Sequence, residues 1–128
     1  MIEMNNVVKK YPNGVVAANG ITVHIKKGEF VYIVGPSGAG KSTFIKLMYR
    51  EEKPTSGDVI INGINLRTLK NNRVPHLRRH LGVVFQDFKL LPRLTVYENV
   101  AFAMEVIEEQ PSVIRKRVME VLELVGLK

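Results

Sequence analysis

The stretch Gly35-Pro-Ser-Gly-Ala-Gly-Lys-Ser42 decides how the rest of the chain is interpreted. It has the form G-x-x-x-x-G-K-[S/T], which is the phosphate-binding P-loop. The apolar, β-branched residues 30–34 lead directly into it and predict a buried strand. Apolar residues at helical spacing over positions 44–48 predict that a helix follows. A strand, a glycine-rich loop and a helix in this order are the context that the motif requires.

The residue types of this loop suit an anion. Glycine adopts positive φ without a steric clash, so Gly35, Gly38 and Gly40 allow the backbone to curl around a phosphate. Inward-pointing N–H groups and the N-terminus of the following helix would add partial positive charge. Lys41 would reach the β- and γ-phosphates, and the Ser42 hydroxyl would bind Mg²⁺.

The alternative is a glycine-rich turn with an incidental lysine, but the strand–loop–helix context favours a nucleoside triphosphate site. The predicted nucleotide-binding residues of the loop are Gly35, Pro36, Ser37, Gly38, Ala39, Gly40, Lys41, Ser42 and Thr43.

The composition is that of a soluble globular protein, with 128 residues of which 45% are hydrophobic and 24% charged. The chain has no cysteine, which excludes disulfides and thiolate metal sites. No apolar run approaches the length of a membrane span, and the first residues lack the pattern of a signal peptide, so we expect a cytoplasmic protein. The net charge of +7 fits a solvated surface, anionic lipid or nucleic acid, and charge alone does not distinguish these.

The N-terminal part is predicted to be antiparallel. Residues 2–10 and 21–25 alternate roughly between apolar and polar side chains, and a turn lies between them at 11–14. Residues 58–61 predict a strand that ends in the hairpin turn Asn62-Gly63. Residues 81–85 predict a second buried strand.

The C-terminal part is predicted to be helical after a short helix at 75–79. Thr95 and Glu98 match the capping box that begins a helix, and Pro111 suits the first turn of the last helix. Gly126 is the predicted C′ residue of that helix. Its core-facing stripe is Ile114, Val118, Val121, Leu122 and Val125.

Taken together, these motifs resemble the ATP-binding-cassette (ABC) ATPases, and among them the FtsE family of cell-division ATP-binding proteins. The resemblance covers the whole chain. It is carried by residues 11–14, 28–29, 35–42, 49–51, 54–57, 77–79, 82–87, 90–92 and 95–102. It implies an α/β P-loop NTPase fold, with an antiparallel β-subdomain and the start of a RecA-like α/β core. Residues 1–128 would then be the N-terminal portion of an ABC ATP-binding domain, with a P-loop at 35–42 and a Q-loop around 86.

The resemblance also assigns roles outside the P-loop. Tyr11 would be the A-loop aromatic that stacks on adenine, and the alternative is a turn aromatic. Val16 would contact the ribose, and core packing is an equally good interpretation. Gln86 would be the Q-loop glutamine, a catalytic residue together with Lys41, whose oxygen joins the Mg²⁺ shell or holds the attacking water. Without the resemblance, Gln86 could simply be a polar residue that ends a strand.

The family further implies a membrane partner. The apolar loop 88–94 would face a membrane subunit of the FtsX type, or else pack within the protein. The chain would be the ATP-binding subunit of a cell-division complex, peripheral at the inner face of the cell membrane and homodimeric when full-length.

Alternatives are a lipoprotein-releasing or macrolide-export ATPase and a non-catalytic ATP-binding or scaffold module. Nucleic-acid binding rests on charge alone and would weaken steeply with salt.

Several hydrolytic elements of the family are not found in these 128 residues: the Walker B aspartate with its following glutamate, the L-S-G-G signature and the switch histidine. Asp87 follows a Q-loop-type strand and is not assigned to Walker B. We therefore expect ATP to be bound weakly and hydrolysed negligibly. Uncovered sheet edges would favour self-association or domain swapping.

His24, His76 and His80 are expected to be surface or structural residues, and Arg78 and Arg79 to lie on a solvated face.

Overall fold

Four antiparallel strands form the sheet of this protein, which a computed structural model describes over residues 1–128. The chain consists of two units, residues 1–81 and 82–128, and the sheet belongs to the first. Its strand order is β2-β1-β3-β4. The strands are β1 (Ile2–Lys10), β2 (Val16–Ile25), β3 (Ser56–Ile61) and β4 (Ile64–Asn65). The predicted antiparallel N-terminal part is thus confirmed, and the Asn62-Gly63 turn joins β3 to β4 in a hairpin.

The helices follow the predicted order. They are α1 (Lys41–Met48), α2 (Val74–Arg78), α3 (Val96–Val106) and α4 (Pro111–Leu124), with a 3₁₀ turn at Asn71–Arg73 before α2. Pro75 and Pro111 lie in the first turns of α2 and α4, where a missing N–H costs no hydrogen bond. No helix is both long and apolar enough to cross a membrane.

A bulge in β1 explains its irregular sequence pattern. The pairing register with β2 shifts between Met4 and Val7, and Asn6 has a φ of +48°. Because the bulge adds a residue, Met4 and Val7 both point into the core although they are three positions apart. Gly57 of β3 lies against this bulge with a φ of +82°. A Cβ there would collide with the Asn6 carbonyl oxygen and lie 2.7 Å from that of Asn5, so the position requires glycine.

The core of the first unit lies between the sheet and the two short helices. α1 contributes Phe44 and Leu47, and α2 contributes Leu77. Ile45, predicted on the same face of α1, is 36% exposed and does not belong to this core. The sheet and the loop after it contribute Met4, Val7, Val59, Ile61 and Leu66. α1 is thereby fixed against the sheet, which sets the position of the P-loop at its N-terminus.

The second unit is a helix pair with its own small core. Ala101 of α3 packs with Ile114, Val118 and Leu122 of α4, so the predicted stripe is confirmed at these positions. Val125 is a correction, because it is the C-cap residue beyond the last helical turn and is 59% exposed. Gly126 has a φ of +74°, as expected of a C′ glycine.

Two strand predictions are wrong. Residues 30–34 and 81–85 form no strand and take no part in the sheet. Tyr32 and Val84 are 80% and 95% exposed. β-branched composition favours an extended backbone, but a strand exists only where a neighbour supplies hydrogen-bond partners and side-chain contacts.

Candidate functional site

The P-loop passes close to the sheet before it enters α1. Gly38 and Gly40 have φ values of +79° and +93°, in the left-handed region that favours glycine. A Cβ on Gly40 would collide with the carbonyl oxygen of Ala17 in β2. Gly40 therefore allows the loop to lie against β2, while nothing approaches the Cβ position of Gly38 within 4 Å. Gly38 and Gly40 thus have the predicted positive φ, whereas Gly35, which was predicted to share it, does not.

The N-terminus of α1 presents free donors. The first backbone hydrogen bond of this helix is donated by Phe44 N to Gly40 O, at 2.9 Å. No side chain caps the helix, and the backbone N–H groups of Lys41, Ser42 and Thr43 have no acceptor within the chain. Unpaired N–H groups and the helix dipole make such a terminus favourable for an anion.

The charged side chain of the loop lies over its own backbone. Lys41 Nζ donates to the carbonyl oxygens of Gly35 and Pro36, the latter at 2.9 Å. These acceptors are uncharged, and an ammonium group bonds more strongly to an anionic oxygen. The Ser42 side chain makes no hydrogen bond and the residue is exposed. The residues present thus fit a polyphosphate: a cation, a hydroxyl and a set of N–H donors at one end of a buried helix.

Tyr11 lies beside this helix through a contact that the sequence did not reveal. Its hydroxyl is 3.0 Å from Thr43 Oγ1, and Thr43 is buried in the first turn of α1. The Lys9 ammonium lies 5.1 Å from the centroid of the Tyr11 ring. Val16 begins β2 and is 48% exposed, so it is not a core residue. The structure therefore brings Tyr11 and the P-loop helix together within the first unit.

Gln86 belongs to the second unit, where it is exposed and follows residues without regular secondary structure. The next residue, Asp87, forms an ion pair of 2.8 Å with Lys89. The hydrogen bond and positive charge of Lys89 lower the pKa of the Asp87 carboxyl. Beyond it Phe88 is 75% exposed and Leu90 69% exposed, so these apolar side chains of the 88–94 loop are not packed within the chain.

Two arginines near α1 make contacts that the sequence pattern does not reveal, and Arg78 is exposed, as predicted. Arg78, expected on a solvated face, donates from Nε to Tyr49 O at 2.9 Å and from Nη2 to Arg50 O at 3.3 Å. It thereby satisfies carbonyl groups at the C-terminal end of α1. Arg50 is 8% exposed and donates only to uncharged oxygens of the 66–71 segment. Because these partners lie 16 to 29 positions away, no local sequence signal identifies them.

Comparison with known proteins decides the family. Residues 18–128 match the family model described as ABC transporter. The chain belongs to the ABC transporter family. It is 70% identical over its full length to the cell division ATP-binding protein FtsE of Bacillus subtilis and 50% identical to FtsE of Mycobacterium tuberculosis. It is 44% identical to the methionine import ATP-binding protein MetN of Helicobacter acinonychis.

Solved structures of ABC ATPases share the fold. The ATP-binding cassette MJ0796, solved as a dimer bound to ADP and phosphate, superposes with a TM-score of 0.89 at 37% identity. The alignment covers the whole of this chain and 58% of that structure. The cbiO1 protein of Clostridium perfringens, part of an ABC transporter complex, gives a TM-score of 0.85 at 30% identity, with coverage of 99% and 51%. The predicted fold class, the N-terminal part of a P-loop ABC ATPase, is confirmed.

The chain spans about half the length of the curated relatives that it matches. It covers 56% of the two FtsE sequences and 39% of MetN, although nearly all of the chain itself is aligned in each case.

Proposed function

We propose that the P-loop of this ABC protein binds Mg-ATP. The single observation that carries the proposal is the uncapped N-terminus of α1, with its free N–H groups beside Lys41 and Ser42. Lys41 would move from the loop carbonyls onto phosphate oxygens, and the remaining loop residues 35–43 would surround the phosphates. Ser42 would hold Mg²⁺, which neutralises phosphate charge when bound. The adenine would stack on Tyr11, and Val16 would contact the ribose.

We propose further that residues 1–128 form the N-terminal portion of an ABC ATP-binding domain of the FtsE type. Identities of 70% and 50% to two FtsE proteins support this type over the importer MetN at 44%. In the whole protein, ATP binding and hydrolysis would be coupled to a membrane partner during cell division. Gln86 would join the Mg²⁺ shell or orient the attacking water. The protein would work as a homodimer, as the dimeric cassette MJ0796 suggests.

The exposed loop 88–94 is the proposed contact with that partner. Exposed apolar side chains in one short segment are costly in water and typically mark an interaction surface. An FtsX-like membrane subunit at the inner face of the cell membrane would cover them. Such a location makes the protein peripheral to the membrane.

Calorimetric titration with Mg-ATP tests the nucleotide site. We expect saturable binding that weakens at least about tenfold in Lys41→Ala, because a charge-assisted contact to the phosphates is lost. Lys46→Ala is the matched control, since Lys46 lies one turn further along α1 and its side chain is not part of the loop. Equal affinity of Lys41→Ala and the unmodified chain would contradict the proposal.

Hydrolysis is measured on the same samples. We expect negligible phosphate release by the 128-residue chain, because the water-polarising glutamate and the signature segment of the family are not among its residues. Rapid turnover abolished by Lys41→Ala would contradict this expectation while leaving the binding site itself supported.

A further inference from the structure

The Tyr11 ring is held from three directions. Its backbone is fixed in the turn after β1, where Tyr11 N donates to Val15 O at 2.8 Å and Gly14 N donates to Tyr11 O at 2.9 Å. Its hydroxyl is hydrogen-bonded to Thr43 Oγ1 at 3.0 Å. One ring face lies against the Lys9 ammonium. The ring is therefore a pre-oriented, half-buried surface with Lys9 on one face.

Thr43 is suited to set that orientation. It is 7% exposed in the first turn of α1, two positions after Lys41, and is anchored by the packing of Phe44 and Leu47 beside it. A hydrogen bond to such a fixed side chain keeps the hydroxyl end of the ring from swinging away from the loop. The same residue thus belongs to the phosphate loop and restrains the aromatic ring.

Lys9 is also held rather than free to move. Its Nζ donates to Lys53 O at 2.9 Å and forms an ion pair with Glu52 Oε2 at 2.9 Å, and its side chain is 14% exposed. A cation fixed over an aromatic face is attracted by the negative charge density of that face. Because Lys9 covers this side, a base can stack only on the other.

We propose that Thr43 and Lys9 are positioning residues for the base of the nucleotide: together they fix Tyr11 at a set orientation to the P-loop, with one face left for the base. This proposal rests on the nucleotide site proposed above and deepens it. It predicts that Lys9 and the hydrogen bond between Tyr11 and Thr43 affect ligands that carry a base, and not the phosphate chain alone. Pre-orientation increases affinity because the ring loses no further freedom when the ligand binds.

The test compares Mg-ATP with inorganic tripolyphosphate, which has the phosphate chain without the base. The variants are Tyr11→Phe, which keeps the ring and removes the hydroxyl, Thr43→Val, and the double variant. Each single change should weaken ATP binding about three- to tenfold. This factor corresponds to the free energy of one hydrogen bond. The double variant should be no weaker than either single one, because one bond is removed in all three. Tripolyphosphate affinity should stay within about twofold for Tyr11→Phe.

Conservative and matched variants distinguish a loss of ring positioning from a loss of folded protein. Thr43→Ser keeps a hydroxyl and should retain the preference for ATP over tripolyphosphate. Lys9→Met should reduce this preference, whereas Lys10→Met, which removes the same charge one position later, should not. Additive losses in the double variant, or an equal loss of both ligands in Tyr11→Phe, would overturn the proposal.

The outcomes also separate this proposal from the nucleotide site itself. If the unmodified chain binds neither ligand, the P-loop site and the positioning role both fail. If it prefers ATP and the preference is unchanged in Tyr11→Phe and Lys9→Met, the site stands and the positioning role is overturned.

Discussion

Arg50 is the most constrained charged side chain of the protein. It is buried, has a φ of +61° just after α1, and donates through three guanidinium nitrogens. The acceptors are Leu66 O at 3.1 Å, Leu69 O at 2.9 Å and Asn71 Oδ1 at 3.3 Å. A planar guanidinium can reach several oxygens at once, which a lysine ammonium cannot do in the same geometry. Arg50 thus ties the end of the P-loop helix to the loop that follows β4.

Removing this side chain should destabilise the first unit. We expect Arg50→Ala to lower the free energy of unfolding by about 2–4 kcal/mol, because buried carbonyl groups lose their donors. Urea titration followed through the amide signals of β1 and β3 measures the change. Arg79→Ala is the control: Arg79 is exposed and its side chain makes no hydrogen bond, so its loss should cost less than about 0.5 kcal/mol. Similar losses for both variants would contradict the role given to Arg50.

Single residues were predictable where their roles are local. Lys41 and Ser42 follow from an eight-residue motif, and the structure gives that motif the positive φ values and free N–H groups that it needs. The bond between Tyr11 and Thr43 spans 32 positions, and that between Arg78 and Tyr49 spans 29. Such contacts depend on how the elements pack, which the pattern of a single segment does not contain.

At the scale of elements, α3 shows how a short sequence can fix a helix start. Thr95 Oγ1 accepts from Glu98 N at 3.2 Å, and Glu98 Oε2 accepts from Thr95 N at 2.6 Å. Both bonds lie within four residues, so the capping box was predictable and is confirmed. The hydrogen bond that the Thr95 backbone N–H donates to the carboxylate, together with a contribution from the Thr95 side chain, lowers the pKa of the Glu98 carboxyl.

This capping box should make α3 sensitive to acid. Because the folded pKa of Glu98 lies below its unfolded value of about 4.3, its contribution is complete above that pH and is lost as pH falls through the folded pKa. Amide exchange in α3 between pH 7 and 3 should show the first turn weakening. Glu98→Gln should remove most of this dependence, and Glu105→Gln, an exposed change in the same helix, should not. An unchanged acid response in Glu98→Gln would contradict the assignment.

The two missing strands show the limit of element prediction. Residues 30–34 carry the composition of a strand, yet their backbone finds no ladder partner in this chain. A helix makes its hydrogen bonds within its own segment, whereas a strand depends on a neighbour. Helices α1, α3 and α4 were therefore more predictable than these strands.

At the scale of the whole molecule, the exposed apolar side chains include all of residues 30–34 and Phe88, Leu90 and Leu94 of the 88–94 loop. Phe30 and Tyr32 are 82% and 80% exposed, and their rings contact each other edge-to-face with centroids 5.0 Å apart. The two cores, one in each unit, share no residue and leave these segments uncovered. Contiguous apolar patches of this kind promote association.

Self-association should therefore depend on residues 30–34. Tyr32→Lys should lower the association constant about tenfold or more, because a charged side chain replaces an aromatic one that could be buried between copies. Analytical ultracentrifugation over a concentration series gives this constant. Val113→Lys, which introduces the same charge at a 45% exposed position on α4, is the control. Equal effects of the two changes would show that net charge, and not this segment, governs association.

The extra residue in the β1 bulge constrains which residue can occupy position 57 of β3. Without Asn6, Met4 and Val7 would be two positions apart, the spacing at which a regular strand already points both side chains to one face. The Asn6 carbonyl oxygen, which is the atom nearest the Cβ position of Gly57, would also be gone, so the constraint against a side chain at position 57 would be weaker. Across relatives of this protein, a one-residue deletion in the first strand should accompany the appearance of larger residues at position 57. Positions 6 and 57 should therefore change together, although 51 positions separate them.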